Sequence, residues 1–343
     1  LVEKRDGRVK TRKVADGSKQ RRRPRYKKED AASPTVSNEG VMITAAIEVH
    51  QGRHVKCFDI PGAYLHALSD KEVLMLIKGP LAELMVMVDP KLYRKYVTYD
   101  TKGVPLMYVK LNKALYGLLK SVLLFYKKLV AELESYGFKV NPFDPCVANA
   151  DINGKQMTVC WHVDDLKVSH MDEFEITKFA DYLVGIYGDK LTAHHGDVHD
   201  YLGMDLDYSE KGVVKVSMIK YLTILLQEFL EELGDSAASP AVAHLFEVRE
   251  DVAKLSKEQA QIFHHTTAQL LFLSSRARRD IQLAVAFLTT RVKSPDDDDW
   301  GKLKRVLKYL KGTRYMKLTL SVDNLSVIKW WIDASDRTHM DCK

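Results

Sequence analysis

The sequence QMTVCWHVDDLKV, at residues 156–168, decides the fold prediction. Two alternating apolar runs flank an acidic pair, Asp164 and Asp165, where the pattern predicts the turn of a β-hairpin. Adjacent carboxylates repel each other, so such a pair is best tolerated where water or a divalent cation screens both charges. The hairpin is therefore a candidate metal site.

A second stretch, HVKCFDIPGAY at residues 54–64, predicts another strand that ends on a carboxylate, Asp59. Two strands that deliver three acids have the layout of a two-metal polymerase palm. Mg²⁺ prefers oxygen ligands and shares its shell with phosphates and water, so two or three carboxylates suffice. The alternative interpretation is a polar turn at Asp164-Asp165 and a helix N-cap at Asp59.

Length and composition indicate a globular protein. The chain has 343 residues, of which 46% are hydrophobic and 29% charged, which predicts a large core and two or three subdomains. No apolar run approaches the roughly 20 residues of a membrane helix, and the N-terminus lacks a signal-peptide pattern. We therefore expect a soluble, intracellular protein. Because the chain starts at Leu1 and ends soon after Trp331, we also expect it to be a piece of something longer.

Positive charge is concentrated at the N-terminus. Residues 1–28 hold thirteen Lys and Arg against three acids, so this segment carries +10 while the whole chain carries +6. A localised basic segment indicates binding to phosphate, in either nucleic acid or nucleotide. A basic disordered arm or a localisation signal is the alternative.

Cysteine and histidine give no metal-site signature. The cysteines at positions 57, 146, 160 and 342 lie far apart without a C-x-x-C pair, which predicts reduced thiols. The histidine groups at 194–199 and 264–265 lack the further ligands of a recognised site. We therefore interpret these histidines as surface or structural residues.

The periodicity predicts an α+β fold, mixed over the first two thirds and helical afterwards. Ser37 is a plausible N-cap, and Asn153-Gly154 is a strong hairpin signal. Strands are predicted at 9–15, 54–59, 104–111, 145–151, 156–161, 166–170, 200–208 and 326–333. Helices are predicted at 37–50, 113–137, 174–187, 219–232, 257–277, 281–292 and 300–311.

Five motifs resemble the reverse transcriptase of copia-type (Pseudoviridae) LTR retrotransposons, and the likeness covers nearly the whole chain. They are FDIPGAYL at 58–65, KALYGL at 113–118, HVDD at 162–165, YLGM at 201–204, and RDI at 279–281 with the stretch from Trp300 to Thr313. The resemblance implies an α+β right-hand polymerase with a mixed antiparallel palm sheet and a helical C-terminal third. It divides the chain into a basic fingers segment (1–45), a palm with inserted fingers elements (46–215), a helical thumb or connection (216–322) and the start of a ribonuclease H-like domain (323–343).

The same resemblance assigns roles to individual residues. It implies that Asp59, Asp164 and Asp165 are the catalytic, metal-binding triad. Arg12 and Lys10, in KTRKVADG at 10–17, would contact the incoming triphosphate, for which guanidinium geometry is suited. Tyr64 would be the steric gate beneath the sugar, with Tyr116 of KALYGL also at the nucleotide. For Tyr64, an ordinary core aromatic is the alternative.

The resemblance also implies the activity, an RNA-directed DNA polymerase that extends a primer with dNTPs on an RNA or DNA template. Expected cofactors are two Mg²⁺ ions, with Mn²⁺ as a substitute. Expected partners are the RNA template, the DNA primer, the RNA/DNA hybrid and the rest of the Pol polyprotein, including ribonuclease H and integrase, but no membrane. We expect a cytoplasmic location in virus-like particles, with nuclear delivery. Asp333 would be the first ribonuclease H carboxylate, and the others would lie beyond Lys343, so that activity should be incomplete.

Two segments depart from the family pattern. His162 replaces the tyrosine of the family's YVDD box, and LKSVLLF at 119–125 replaces KQSPRAW. A rival hypothesis is therefore a catalytically decayed retrotransposon fragment that at most binds nucleic acid. A template-independent nucleotidyltransferase is a third, weaker hypothesis.

Overall fold

The structure is a computed structural model that describes residues 2–3, 9–10, 14–21, 32–229, 231–249, 251–330 and 332. Over these residues the chain forms helices and antiparallel strands, so the predicted α+β class is confirmed. The helices are α1 (Ser18–Arg21), α2 (Asn38–Gln51), α3 (Pro80–Val88), α4 (Pro90–Tyr93), α5 (Ser121–Tyr136), α6 (Glu173–Tyr187), α7 (Ile219–Glu228), α8 (Lys257–Ser274), α9 (Gln282–Arg291) and α10 (Asp297–Gly312). None of these helices is long and apolar enough to cross a membrane.

The strands form four sheets over the described residues. They are β1 (Val2–Glu3), β2 (Val9–Lys10), β3 (His54–Asp59), β4 (Leu74–Lys78), β5 (Thr98–Tyr99), β6 (Pro105–Lys110), β7 (Lys139–Val140), β8 (Val147–Ile152), β9 (Lys155–His162), β10 (Asp165–His170), β11 (Thr192–His194), β12 (Val198–Tyr201), β13 (Met204–Asp207), β14 (Val214–Ser217) and β15 (Leu318–Leu320). The largest sheet has the order β11-β3-β10-β9-β8-β7. The others have the orders β4-β6-β5, β12-β13-β14-β15 and β1-β2. Strands β3 and β10 are therefore neighbours, although about a hundred residues separate them in the sequence.

The chain divides into two compact units. Unit 1 comprises Leu1–Val36, Phe58–Leu166 and Thr177–Thr192, and unit 2 comprises Ser37–Cys57, Lys167–Ile176 and Ala193–Lys343. In unit 1, Phe125, Leu129 and Leu133 of α5 are buried, and Phe138 packs on Phe179 at 5.3 Å between ring centroids. Unit 2 has a helical core built by the apolar faces of α8, α9 and α10. The four predicted functional domains use other boundaries and stay a prediction.

Helix α2 begins and ends where the sequence predicts. The Ser37 hydroxyl accepts a hydrogen bond from the Gly40 N–H at 2.9 Å, which satisfies one of the free amides of the first turn. At the other end Gly52 has φ 63°, in the left-handed region that glycine enters without steric cost. The two local signals were sufficient here because both act within one turn of the helix.

The helix predicted at 113–137 is wrong at its start, because α5 begins at Ser121. Residues 113–120 form turns instead, and Gly117 has φ 91°. The Tyr116 carbonyl accepts the Ala15 N–H at 2.7 Å, and a Cβ on Gly117 would lie 2.0 Å from the Ala15 oxygen. A helix is therefore excluded by a tertiary contact with a distant segment, which the apolar spacing cannot show.

Two predicted strands also differ. Residues 200–208 form a hairpin rather than one strand, because Leu202 (φ 54°) and Gly203 (φ 78°) make the turn between β12 and β13. At the C-terminal end, residues 326–330 and 332 do not form a strand, and Asp333 lies outside the described residues. The last strand within the described part of the chain is β15, which pairs with β14 through Val216↔Leu318.

Candidate active site

Asp59 and the Asp164-Asp165 pair lie at neighbouring strand ends within unit 1. Asp59 is the last residue of β3, Asp164 is in the turn after β9, and Asp165 is the first residue of β10. The two chain segments are joined directly, since the Ile60 N–H donates to the Asp164 carbonyl at 3.1 Å. The structure therefore brings the strand end of Asp59 into backbone contact with the acidic turn, which is about a hundred residues away in the sequence.

The residues next to the three acids explain why the carboxylates stay accessible. Phe58 is 2% exposed, and Ile60 and Leu166 are fully buried, so apolar anchors flank the acids on both strands. All three aspartates are half-buried. Burial of the flanking side chains fixes the backbone, while the alternation of the strands keeps the acids at the surface end of the sheet.

The turn that carries Asp164 has an unusual backbone. Val163 has φ 59°, whereas Asp164 is not among the residues with positive φ. A positive φ at the first turn position alone is the pattern of a type II′ turn, where glycine is preferred. A β-branched residue there stores about 1–3 kcal/mol of strain. Strained backbone of this kind concentrates at functional sites. Neither the type of Val163 nor its place in the alternating pattern indicates this strain.

Replacement of Val163 by glycine is expected to raise the free energy of unfolding by about 1 kcal/mol, because glycine removes the strain at this φ. Urea denaturation checks this. We expect nucleotide incorporation to fall in the same variant, because a more flexible turn holds Asp164 less firmly. Asn153→Gly is the matched control, since Asn153 has φ 54° in the β8–β9 turn but asparagine tolerates that region. A Val163→Gly variant less stable than the wild type contradicts the strain assignment.

The aromatic residues expected at the nucleotide form one cluster in unit 1. The rings of Tyr64 and Tyr116 lie 4.5 Å apart between centroids, and Tyr64 packs edge-on against Phe125 at 6.4 Å. Phe125 is 1% exposed, whereas both tyrosines are half-buried. Phe125 thus supports the ring of Tyr64, which in turn lies against Tyr116, and both tyrosines remain partly open to solvent. The place of Phe125 in the apolar stripe of α5 did not reveal this role.

The KALYGL segment, residues 113–118, is held from two sides. The Ala114 N–H donates to the Ala67 carbonyl at 2.9 Å, next to the 3₁₀ turn that contains Tyr64. On the other side, residues 14–20 pack against it, and a Cβ on Gly17 would lie 2.0 Å from the Gly117 oxygen. The glycines at 17 and 117 therefore allow two backbones to approach closely.

The predicted triphosphate contacts cannot be placed in the same way. Arg12 lies outside the described residues, and Lys10 belongs to β2, of which only the backbone is described. Further along the same segment, the Ala15 N–H donates to the Tyr116 carbonyl. The roles of Arg12 and Lys10 stay predictions.

The donor set at the strand ends suits a hard cation, because it consists of carboxylate oxygens. Among the described residues, however, no group of three or more His, Cys, Asp or Glu is close enough to hold a metal ion by itself. Mg²⁺ is commonly bound by one or two carboxylates together with substrate phosphates and water. Asp59, Asp164 and Asp165 therefore fit an ion that arrives with the nucleotide better than a preformed protein cage.

The cysteines described by the structure are thiols. Cys57, Cys146 and Cys160 are buried, and no disulfide joins these three described cysteines. Burial raises the pKa of the Cys146 thiol to about 12, so it stays protonated at neutral pH.

A family model described as "Reverse transcriptase (RNA-dependent DNA polymerase)" matches residues 2–243, which include all three aspartates and both tyrosines. The chain belongs to the reverse transcriptase family. The match confirms the predicted reverse transcriptase family, whereas it does not test the roles of single residues.

Curated relatives include Pol polyproteins of plant transposons, which confirms the predicted likeness to copia-type elements. The chain is 24% identical over 313 residues to the retrovirus-related Pol polyprotein from transposon TNT 1-94 of Nicotiana tabacum, which covers 89% of this chain and 22% of the relative. It is 25% identical over 335 residues to that from transposon RE2 of Arabidopsis thaliana, covering 96% and 21%. The chain thus spans about a fifth of the length of these relatives.

Solved structures with similarity to the chain include polymerases. The foamy viral protease-reverse transcriptase in complex with double-stranded DNA has a TM-score of 0.41 and 10% identity, covering 82% of this chain and 38% of that one. Telomerase from Candida tropicalis with a fragment of telomeric RNA has a TM-score of 0.36 and 11% identity, covering 80% and 44%.

Proposed function

We propose that this chain is the RNA-directed DNA polymerase part of a retrotransposon Pol polyprotein. It would extend a primer with dNTPs on an RNA or DNA template. The observation that supports this most is the hydrogen bond from Ile60 to Asp164, which joins the strand end of Asp59 to the acidic turn within a reverse transcriptase family match. The basic segment 1–28 supplies charge for binding nucleic acid or triphosphate.

In this proposal Asp59, Asp164 and Asp165 bind two Mg²⁺ ions, which Mn²⁺ could replace. Bound there, the metal would lower the pKa of the attacking 3′-hydroxyl and neutralise charge on the triphosphate. The protein's own contribution is to fix the three carboxylates at the ends of β3 and β10 before substrate binds. Such preorganisation supports a transfer reaction that depends mainly on positioning and electrostatics.

The tyrosine cluster would select the sugar. Tyr64 rests on the buried Phe125 and on Tyr116, so its ring cannot yield easily to a 2′-hydroxyl placed against it. We therefore propose that Tyr64 favours deoxynucleotides. The proposed partners are an RNA template, a DNA primer, their hybrid and the remaining Pol domains, and the proposed location is cytoplasmic, with nuclear delivery.

Primer extension tests the proposed function. The purified chain should extend a labelled DNA primer on an RNA template with Mg²⁺ or Mn²⁺, and should add nothing without a template. The rival hypothesis, a catalytically silent remnant, predicts salt-dependent binding of RNA/DNA hybrid without incorporation in either metal. Binding without incorporation therefore contradicts the polymerase, and template-free addition would favour the third hypothesis.

A further inference from the structure

Unit 2 contains a polar cleft that is lined by none of the residues proposed for the polymerase reaction. Its volume is about 290 Å³. It lies between the first residues of β3, the start of α6 and the loop that joins β11 to β12. The side chains that line it include Arg53, His54, Lys56, Glu173, His195 and His199. Asp197 and Tyr208 complete its polar lining.

One acid in the cleft is already compensated. Lys56, which is 8% exposed, forms an ion pair with Glu173 at 2.9 Å. The hydrogen bond from Lys56, its charge, and the nearby His54 and His195 hold the pKa of Glu173 below its usual value. Glu173 is therefore ionised and surrounded by positive or hydrogen-bond-donating groups. Because its charge is already balanced, Glu173 does not make the cleft a binding site for a cation.

Arg53 brings a partly desolvated guanidinium to the cleft. Its Nε donates to the Gln51 side chain at 2.6 Å, and its backbone N–H donates to the Glu48 carbonyl at 2.9 Å. Burial lowers the pKa of Arg53, and the negative charge of Glu48 acts in the opposite direction. A guanidinium nevertheless stays protonated, and it carries five N–H donors. A guanidinium held this way is suited to a phosphate or carboxylate group.

His199 supplies a buried ring with spare hydrogen-bonding capacity. It is 1% exposed, and its Nδ1 has no hydrogen-bond partner among the described residues. Its ring packs on Tyr208 at 5.9 Å, and the Tyr208 hydroxyl donates to Glu48 at 2.7 Å. Burial is the main cause that lowers the pKa of His199, followed by the positive charge of Lys167 and a smaller effect of His194. The negative charges of Glu48 and Asp197 act in the opposite direction. The ring is thus neutral and can donate one N–H.

We propose that this cleft binds an oxyanion of the phosphate class, held by the Arg53 guanidinium and an imidazole N–H of His199. The histidine-rich loop at 194–199, which we interpreted as surface or structural, would then form part of a binding site. A metal site is disfavoured, because two cations line the cleft and the described residues do not bring three metal ligands together. The proposal does not depend on polymerase activity.

Calorimetric titration of the full chain tests the site, with inorganic pyrophosphate as one probe and a 12-nucleotide single strand as another. Arg53→Gln should weaken the binding of either pyrophosphate or the oligonucleotide about tenfold, because it removes a charge-assisted contact. Arg249→Gln is the matched control: Arg249 is an exposed arginine of unit 2 outside the cleft and should change affinity less than twofold. Weaker pyrophosphate binding alone assigns the site to a free anion. Weaker oligonucleotide binding with a salt slope reduced by about one assigns it to a backbone phosphate.

Histidine variants keep the test informative if Arg53→Gln folds poorly. His199→Phe keeps a ring but removes both nitrogens and should weaken the same probe, whereas His199→Gln can still donate and should lose less. Circular dichroism verifies the fold of each variant. Equal affinities in Arg53→Gln, Arg249→Gln and the wild type overturn the proposal. Saturable Zn²⁺ binding that His199→Phe abolishes, without any effect on anion binding, overturns it in favour of a metal site.

Discussion

Replacement of Lys167 by methionine is expected to lower the free energy of unfolding by about 3–5 kcal/mol. The side chains of Lys167 and Glu48, 0% and 2% exposed, form an ion pair inside unit 2. Lys167 also donates to the Thr44 hydroxyl at 3.1 Å, and Glu48 accepts from Tyr208. Removal of the lysine leaves a carboxylate buried without its cation, which is costly. Urea unfolding followed by circular dichroism measures the effect.

Two comparisons isolate the cause of the Lys167 effect. Lys128→Met breaks a half-exposed pair with Glu132 within one helix and should cost about 0.5 kcal/mol or less. The double variant Lys167→Met/Glu48→Gln should be clearly more stable than the two single changes predict by addition, since it leaves no unpaired charge. If Lys167→Met lowers the free energy of unfolding no more than Lys128→Met does, the prediction that loss of the buried pair is strongly destabilising is wrong.

Replacement of Asp164 by asparagine is expected to reduce incorporation by about a thousandfold, because a metal-held charge contributes several kcal/mol to the transition state. Asn keeps the size of the side chain, so the urea midpoint should stay near that of the wild type. Asp59→Asn should behave alike, since both residues are proposed to hold the same ions. Single-turnover primer extension in Mg²⁺ gives the rates.

Asp189→Asn is the matched control for these changes. Asp189 is an exposed acid in the turn after α6 and is not one of the three proposed metal ligands, so its loss should leave the rate within twofold. An Asp164→Asn enzyme that is as fast as Asp189→Asn contradicts the assigned metal role. A drop in both rate and urea midpoint would point to a folding defect, and Asp59→Asn then decides between the two explanations.

Local signals in the sequence predicted local structure well. Ser37 and Gly52 fix α2, and Asn153-Gly154 fixes the β8–β9 turn, because each signal acts over a few neighbouring residues. The helix predicted from residue 113 is wrong up to Ser121, since its apolar spacing continues through a segment that the Ala15–Tyr116 hydrogen bond holds in turns. A contact between residues about a hundred positions apart does not change the local spacing of apolar residues, so this spacing cannot reveal it.

At the candidate site, too, local features could be predicted from the sequence, whereas features that depend on the folded structure could not. Alternation and flanking apolar residues predicted that Asp59 and Asp164 end their strands, and the sheet order places those strands side by side. The positive φ of Val163 is a property of the folded hairpin, and the orphaned Nδ1 of His199 depends on what packs around it. Neither property follows from residue type or spacing, so neither could be predicted from the sequence.

Template-dictated incorporation of a single nucleotide tests the central claim most directly. A primer is annealed to four RNA templates that differ only in the first unpaired base, and each of the four dNTPs is offered separately with Mg²⁺. We expect the purified chain to add the complementary dNTP on each template, and we expect Asp164→Asn to add none. Addition that ignores the template base, or no addition in Mg²⁺ or Mn²⁺ by a folded chain that binds the hybrid, would contradict it.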